Sequence, residues 1–336
     1  MDNDGVSRHS QDAHAMNDKN IVFLDYATLP GSVRLKAIHG AHNLILHART
    51  SPEQCAERIA KADVVITNKV KLTQALIAQA PNLKFVAVAA TGFDAIDIDA
   101  CKARNIPVSN IRGYALDTVP EHTFALIFAL RRSITAYHQA VQKGRWQQAG
   151  QFCFFDFSIK NLAGSTLGII GDGVLGKRVG DIAKSLGMNV LFAAYKGVSN
   201  MGPLYTDFEE VVKTSDVLSL HCPLLPSTEN MIAENEFALM KPEVLLINTA
   251  RGGIVNEEDL YRALMTRRIA GAAFDVAKNE PPDKDSPIMK LTQLPNFILT
   301  PHISWASQEA IQLLADKLID NVNAWLEGKP MNIVNP

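Results

Sequence analysis

Short runs of Val, Ile, Leu and Phe recur along this chain, separated by segments whose apolar residues keep helical spacing. They fall at Ile21–Leu24, Leu44–Leu46, Val64–Ile66 and Phe85–Ala89, with helical segments such as Pro52–Ala62 and Thr73–Ala80 between them. A strand apolar at every position has no face to give to water. It belongs in a parallel sheet covered by helices on both sides. The alternation restarts at Thr166, with runs at Leu167–Ile170, Val190–Phe192, Val217–Leu220, Leu245–Ile247, Ala272–Val276 and Phe297–Leu299. Two α/β units follow from the restart, and 336 residues suffice for both at roughly 100–200 residues per domain.

Between the two patterns, Thr118 to about Gln142 reads as one long helix. The stretch 144–161 after it reads as irregular and carries Trp146, Phe152, Phe154, Phe155 and Phe157. A last amphipathic helix is expected over Ser307–Leu326, stopped by Gly328 and Pro330. Residues 1–19 are polar and read as a disordered leader, with Met16 as another start.

Charge narrows the partners. Lys and Arg number 33 against 35 Asp and Glu, so neither a nucleic-acid footprint nor a membrane-binding basic patch is expected. The longest apolar helical run, Phe124–Leu130, stops at Arg131-Arg132, far short of the roughly 20 residues that span a bilayer. Cys55, Cys101, Cys153 and Cys222 are scattered, which argues against a disulfide framework or a structural zinc site. The expectation is a soluble cytoplasmic protein without a metal. His39, His42 and His47 have no ligand spacing, His122 and His138 read as structural, and His9 and His14 lie in the leader.

The sharpest local signal is Gly171-Asp172-Gly173-Val174-Leu175-Gly176, set between the run Leu167–Ile170 and a helical stretch reaching Leu186. Gly171 permits the tight turn, Gly173 lets backbone approach a pyrophosphate, and Gly176 lets helix pack on strand. The helix N-terminus then offers unpaired N–H groups and partial positive charge to the phosphates. Dinucleotide binding is the reading this context favours. Further on, Arg251, Glu280 and His302 each stand just beyond an apolar strand. Ligands of open α/β sheets bind outside the carboxyl ends of the strands, where these three can converge. Taken singly, they are a surface Arg, a loop Glu and a His packed behind Pro301.

In this order, the glycine loop, Arg251, Glu280 and His302 resemble the D-isomer-specific 2-hydroxyacid dehydrogenase family. Supporting matches are Val119-Pro120-Glu121-His122-Thr123, His221-Cys222-Pro223-Leu224 with Thr228, Asn248-Thr249-Ala250-Arg251-Gly252 and Ala273-Phe274-Asp275-Val276. The resemblance runs from about Ile21 to Val334. Within the family, Thr300–Ser307 and the length look most like glycerate dehydrogenases (hydroxypyruvate reductases). It implies two Rossmann-like or flavodoxin-like parallel-sheet domains, the NAD(P)-binding one (119–302) inserted into the catalytic one (20–118 plus 303–336). The active site would lie in the cleft between them, and a homodimer would form through the cofactor domain and an arm near Trp146–Phe157.

Carried over by position, the resemblance implies that Arg251 binds the substrate carboxylate and carbonyl, that His302 is the acid/base and that Glu280 holds its imidazole. The chemistry asks for the same residue types. Negative charge develops on the ketone oxygen as hydride arrives, so a protonated imidazole must donate there. A carboxylate beside the imidazole stabilises that charged form, and a guanidinium gives a two-pronged grip on a carboxylate that lysine cannot copy. Thr91 and Gly92 match the loop that holds the substrate carboxylate. Lys69 is either at the substrate mouth or a solvated surface lysine. Thr118, Gly171, Gly173, Val174, Leu175, Gly176, Tyr195, Lys196, Cys222, Pro223, Thr228, Thr249, Ala250 and Asp275 match cofactor-binding positions.

The cofactor site departs from the simplest pattern. An Asp or Glu about 20 residues beyond the glycines normally binds the ribose 2′-hydroxyl. That position is Ala194, followed by Tyr195 and Lys196. Lys196 either pairs with a 2′-phosphate or points to solvent, so acceptance of NADP is expected. Alternatives within the class are phosphoglycerate and D-lactate dehydrogenases. A formate dehydrogenase is disfavoured because Glu280 stands where that subgroup carries Gln. Outside the class, a cofactor-sensing corepressor-like binding protein keeps the same residue set.

Overall fold

The computed structural model describes residues 18–336, and the contacts divide it into two compact units, one ending at Tyr114 and resuming at Gln308–Pro336, the other Ala115–Ser307. All but the last two residues of the expected leader, with His9 and His14, lie outside the described residues, and Lys19 already belongs to the first strand.

The first unit opens with β1 (Lys19–Phe23), β2 (His42–Leu46), α1 (Pro52–Ile59) and β3 (Val64–Thr67). It continues through α2 (Gln74–Ala78), β4 (Phe85–Val88), α3 (Ile98–Ala103) and the two-residue β5 (Val108–Ser109). The strands form one sheet in the order β2-β1-β3-β4-β5, and every pairing is parallel. The central strands β3 and β4 are buried at all four positions, as their unbroken apolar runs require, whereas the edge strand β2 is part-exposed. Helix α1 starts cleanly because Gln54 Oε1 accepts from the Ser51 N–H (3.1 Å) and Pro52 stands in the first turn. Cys55, Ile59, Ile77 and Cys101 on α1–α3 pack with Val22, Leu24, Val65 and Val86 in a single core cluster.

The second unit begins with α4 (Thr118–Arg131), α5 (Ile134–Gln142) and α6 (Arg145–Ala149). The expected single helix is therefore broken. Ser133 adopts φ 48°, donates its hydroxyl to the Ser158 carbonyl, and turns the chain where no Gly or Pro announces it. There follow β6 (Thr166–Ile170), α7 (Val174–Ser185), β7 (Asn189–Ala193), β8 (Tyr205–Thr206), α8 (Phe208–Thr214) and β9 (Val217–Leu220). The unit closes with α9 (Glu234–Leu239), β10 (Leu245–Asn248), α10 (Glu257–Met265), β11 (Gly271–Phe274), α11 (Pro287–Leu291) and β12 (Phe297–Leu299). Its seven strands are all parallel, in the order β12-β11-β10-β9-β6-β7-β8.

Alternate strand residues feed two cores. Leu167, Ile169, Leu245 and Ile247 pack with Phe124, Ile127, Val179 and Ala183 of α4 and α7. Ile170, Leu218, Leu246 and Phe274 pack with Phe208, Phe237, Leu260 and Ile288 of the other helices. The chain then returns to the first unit as α12 (Gln308–Leu326), whose Trp325 stacks on Phe85 with ring centres 5.2 Å apart. The tail ends beside β5, where Val108 donates its N–H to the Asn335 side chain.

In the segment after α6, Phe154 and Phe157 pack on Tyr137, while Phe152 and Phe155 stand 89% and 85% exposed. Among the described residues, no helix is long and apolar enough to cross a membrane.

Candidate active site

At the carboxyl end of β10 the chain turns sharply into Asn248–Gly253. Asn248 is fully buried and braces the turn from inside: its amide donates to the Arg251 carbonyl (2.9 Å) and its Oδ1 accepts from the Ala250 N–H (3.1 Å). A Cβ on Gly252 would lie 1.9 Å from the Ala277 oxygen, so only glycine lets the turn pack against the end of β11. Arg251 is held half-buried at the top of this turn, with Nη1 donating to the Ala250 carbonyl.

Beyond β11, Asp275 is fully buried and acts as the staple of the His302 loop. Its oxygens accept from the Thr300 hydroxyl and from the N–H groups of Ile303 (2.9 Å) and Ser304 (2.8 Å). Its carbonyl accepts from the His302 N–H at 2.8 Å. These bonds over-determine a residue at φ 55°, a left-handed conformation that few non-glycine residues adopt. The imidazole Nδ1 lies 2.6 Å from Glu280 Oε2, and Glu280 Oε1 accepts from the Ala277 N–H. A protonated ring with a carboxylate on Nδ1 presents Nε2–H as its donor.

Beneath this loop lies a network that the sequence did not reveal. The Thr300 hydroxyl spends its single proton on Asp275, so His122 Nε2, 3.1 Å from the same oxygen, must be the donor of that contact. Thr249, buried beside Arg251, bonds to Thr123 of α4 at 3.0 Å. Thr118 opens α4 and donates to the Ser304 carbonyl.

The glycine loop sits at the carboxyl end of β6, and α7 starts directly from it. Gly171 has φ 110°, and a Cβ there would come within 2.5 Å of the His221 backbone. A Cβ on Gly176 would lie 2.0 Å from the Gly171 oxygen. Gly173 instead faces open space, with nothing within 4 Å of a built Cβ. Two glycines are thus required by the protein and the third clears room above a helix N-terminus, which fits a dinucleotide pyrophosphate. Val174 and Tyr195 are exposed at 65% and 61%, and Leu175 is half-buried.

Below the loop, burial holds the Cys222 thiol up at about 11, so it packs rather than reacts. Burial also pushes the His221 imidazole down to about 4, although part of the residue surface stays accessible, and its Nε2 lies 2.8 Å from the buried Ser219 hydroxyl. Thr228 closes the next turn by donating to the Pro223 carbonyl and accepting from the Leu225 N–H.

Lys196 is exposed, its side chain at 42%, and is engaged within the protein. Its Nζ pairs with Glu236 Oε1 at 2.7 Å and donates to the Met231 carbonyl at 3.0 Å. Glu236 is 5% exposed and caps α9 through the Ala233 N–H, so a buried carboxylate has claimed the lysine.

In the first unit, Lys69 follows β3 and Thr91-Gly92 follow β4, at the carboxyl ends of paired strands. A cavity of about 650 Å³ opens at this end of β1–β3, with Arg49, Lys69 and Lys71 among its walls. The acid there, Asp25, is occupied by the N–H groups of Asn68, Lys69 and Val70. Thr91 is tied to the Ile111 carbonyl through its hydroxyl.

Comparison with known proteins places this arrangement. Residues 124–304 match the model of the D-isomer specific 2-hydroxyacid dehydrogenase NAD binding domain. The chain is 47% identical to a glycerate dehydrogenase of Methylorubrum extorquens over 317 residues, covering 94% of this chain and 99% of that protein. It is 37% identical to a hydroxypyruvate reductase of Blautia hydrogenotrophica, with the same coverage of each chain. Among solved structures, a D-lactate dehydrogenase from Aquifex aeolicus complexed with NAD and lactic acid superposes with a TM-score of 0.80. It is 29% identical, over 94% of this chain and 99% of that one. With the glycine cradle and the Arg251, Glu280 and His302 set in place, the chain belongs to the D-isomer-specific 2-hydroxyacid dehydrogenase family of nicotinamide-dependent oxidoreductases.

Proposed function

We propose that this protein reduces hydroxypyruvate, with glyoxylate as a second substrate, to the corresponding hydroxy acid, and so acts as a glycerate dehydrogenase. The observation that carries the reading is the 2.6 Å contact between His302 Nδ1 and Glu280 Oε2. It orients an imidazole whose other nitrogen serves as proton donor to a ketone oxygen. Bound NAD(P)H supplies the hydride. His302 delivers the proton to the developing alkoxide and Glu280 stabilises the imidazolium beforehand. Arg251 holds the substrate carboxylate and carbonyl in this reading, and Lys69, Thr91 and Gly92 are the substrate-binding candidates of the first unit. The two relatives named above, a glycerate dehydrogenase and a hydroxypyruvate reductase, support this choice of substrate.

The unit with the glycine loop, Ala115–Ser307, is the NAD(P)-binding domain in this reading, and the other unit is the substrate domain. With no carboxylate at Ala194, NADP(H) is admitted beside NAD(H). The exposed Phe152 and Phe155 support a homodimer contact, because two large apolar side chains so exposed call for a covering surface. Sedimentation at micromolar concentration is expected to give twice the 36.7 kDa chain mass, and a monomer would remove this contact. Balanced charge and four free cysteines fit a cytoplasmic enzyme.

A second reading rests on the cavity at Arg49, Lys69 and Lys71, whose three cations suit a substrate carrying a phosphate. One experiment separates these. Hydroxypyruvate, glyoxylate, pyruvate and 3-phosphohydroxypyruvate are each assayed with NADH and with NADPH. Highest kcat/KM on hydroxypyruvate or glyoxylate supports the first reading, and on the phosphorylated acid the second. Cofactor binding without turnover of any of them would mark a sensing protein instead.

A further inference from the structure

We infer that Asp172, carried by the glycine loop itself, is the carboxylate that binds the adenosine ribose hydroxyls, and that it tilts this chain toward NADH over NADPH. The inference rests on the reading of the second unit as a nicotinamide-cofactor domain and adds the residue that chooses between the two cofactors.

Strands β6 and β7 are parallel, with Ile169 paired to Phe192. The paired register ends there, and Asp172 stands three residues beyond it after β6, as Tyr195 does after β7. The acid missing from the end of β7 is therefore replaced by one at the end of the neighbouring strand. Its carboxylate is fixed from the far side: β8 pairs with β7 through Tyr205, whose hydroxyl donates to Asp172 Oδ2 at 2.6 Å. A carboxylate has lone pairs beyond this bond with which to accept from a ligand hydroxyl.

The Tyr205 hydrogen bond, aided by the charge of Lys177, holds this carboxyl below the usual range, so it is ionised at neutral pH. A fixed anion accepts from a ribose diol and repels a 2′-phosphate. The cation best placed by sequence to offset that repulsion, Lys196, is already bound to Glu236 and to the Met231 carbonyl. Lys177 is the remaining positive charge acting on Asp172, and its pull on the carboxylate competes with any pull on a phosphate.

The test is direct binding of NADH and of NADPH, followed by quenching of protein fluorescence, in wild type, Asp172→Asn, Asp172→Ser and Tyr205→Phe. Wild type is expected to bind NADH at least about tenfold more tightly than NADPH. Asp172→Asn should weaken NADH about tenfold, the scale of one charge-assisted hydrogen bond, and leave NADPH unchanged or tighter. Asp172→Ser should follow it, and Tyr205→Phe should move the ratio the same way by a smaller factor. Equal weakening of both cofactors, with an unfolding midpoint that falls, would make Asp172 a structural member of the loop and overturn the inference. So would an unchanged NADH to NADPH ratio. If that ratio is unchanged while 2-oxoacid reduction persists, only this inference falls. If wild type binds neither cofactor, the reading of the domain falls with it.

Discussion

The seven-stranded sheet carries two different kinds of candidate site at the carboxyl ends of its strands. At the carboxyl ends of β10, β11 and β12, every functional side chain is braced by others: Arg251 by the Asn248 turn, His302 by Asp275, and its ring by Glu280. At the carboxyl ends of β6 and β7, the protein offers backbone and space: a glycine over an open helix N-terminus, with exposed Val174 and Tyr195 beside it. The difference follows from the tasks. A proton must be delivered at one point in the transition state, so its donor is preorganised, whereas a pyrophosphate is held by many N–H groups at once. Single side chains should therefore matter greatly at the first site and modestly at the second.

The sharpest test of the first half is His302→Ala. Turnover should fall by at least about a hundredfold, with NADH affinity little changed, because general acid catalysis contributes about 10²–10⁴-fold. Turnover near wild type would remove His302 from the chemistry. Glu280→Gln keeps a hydrogen-bond acceptor at Nδ1 but removes the charge that favours the imidazolium. Turnover should then fall while NADH affinity holds, and unchanged turnover would detach Glu280 from the proton donor.

Arg251→Lys comes next. A point charge cannot reproduce the planar grip on a carboxylate, so kcat/KM should drop steeply while NADH binding holds. An equal loss in cofactor binding would shift Arg251 to the other end of the sheet and blur the distinction between the two sites.

How far the sequence already showed this depends on which residues carried the information. Unbroken apolar runs announced β3, β4, β6, β9 and β10, because a strand buried on both faces leaves no polar position. The glycine loop was legible because its three glycines answer separate steric demands. Two-residue strands such as β5 and β8 have too few residues to form a pattern. The break at Ser133 carries no signal, since a serine in the left-handed region is held there by tertiary contacts, here the Ser158 carbonyl. Arg251, Glu280 and His302 stood out only as an ordered set; that Asp275 staples the His302 loop and that His122 donates to Thr300 depended on strands brought together by the sheet. The Lys196–Glu236 pair was hidden for the same reason: its two members lie forty residues apart, and nothing local marks the pairing.

That pairing yields the smallest expected effect and the most direct probe of the second site. If Lys196 serves Glu236 and not a ligand, Lys196→Ala should change NADH and NADPH affinity alike, by less than about threefold. Its cost should appear in stability. Glu236 would stay buried with only the Ala233 N–H as partner, and losing a half-exposed lysine from it should cost about 1–2 kcal/mol. A lowered denaturant midpoint with unchanged cofactor preference is the expected result. A loss of about tenfold or more confined to NADPH would show that Lys196 leaves Glu236 to meet a 2′-phosphate. The cofactor end of the sheet would then depend on a second placed side chain beside Asp172.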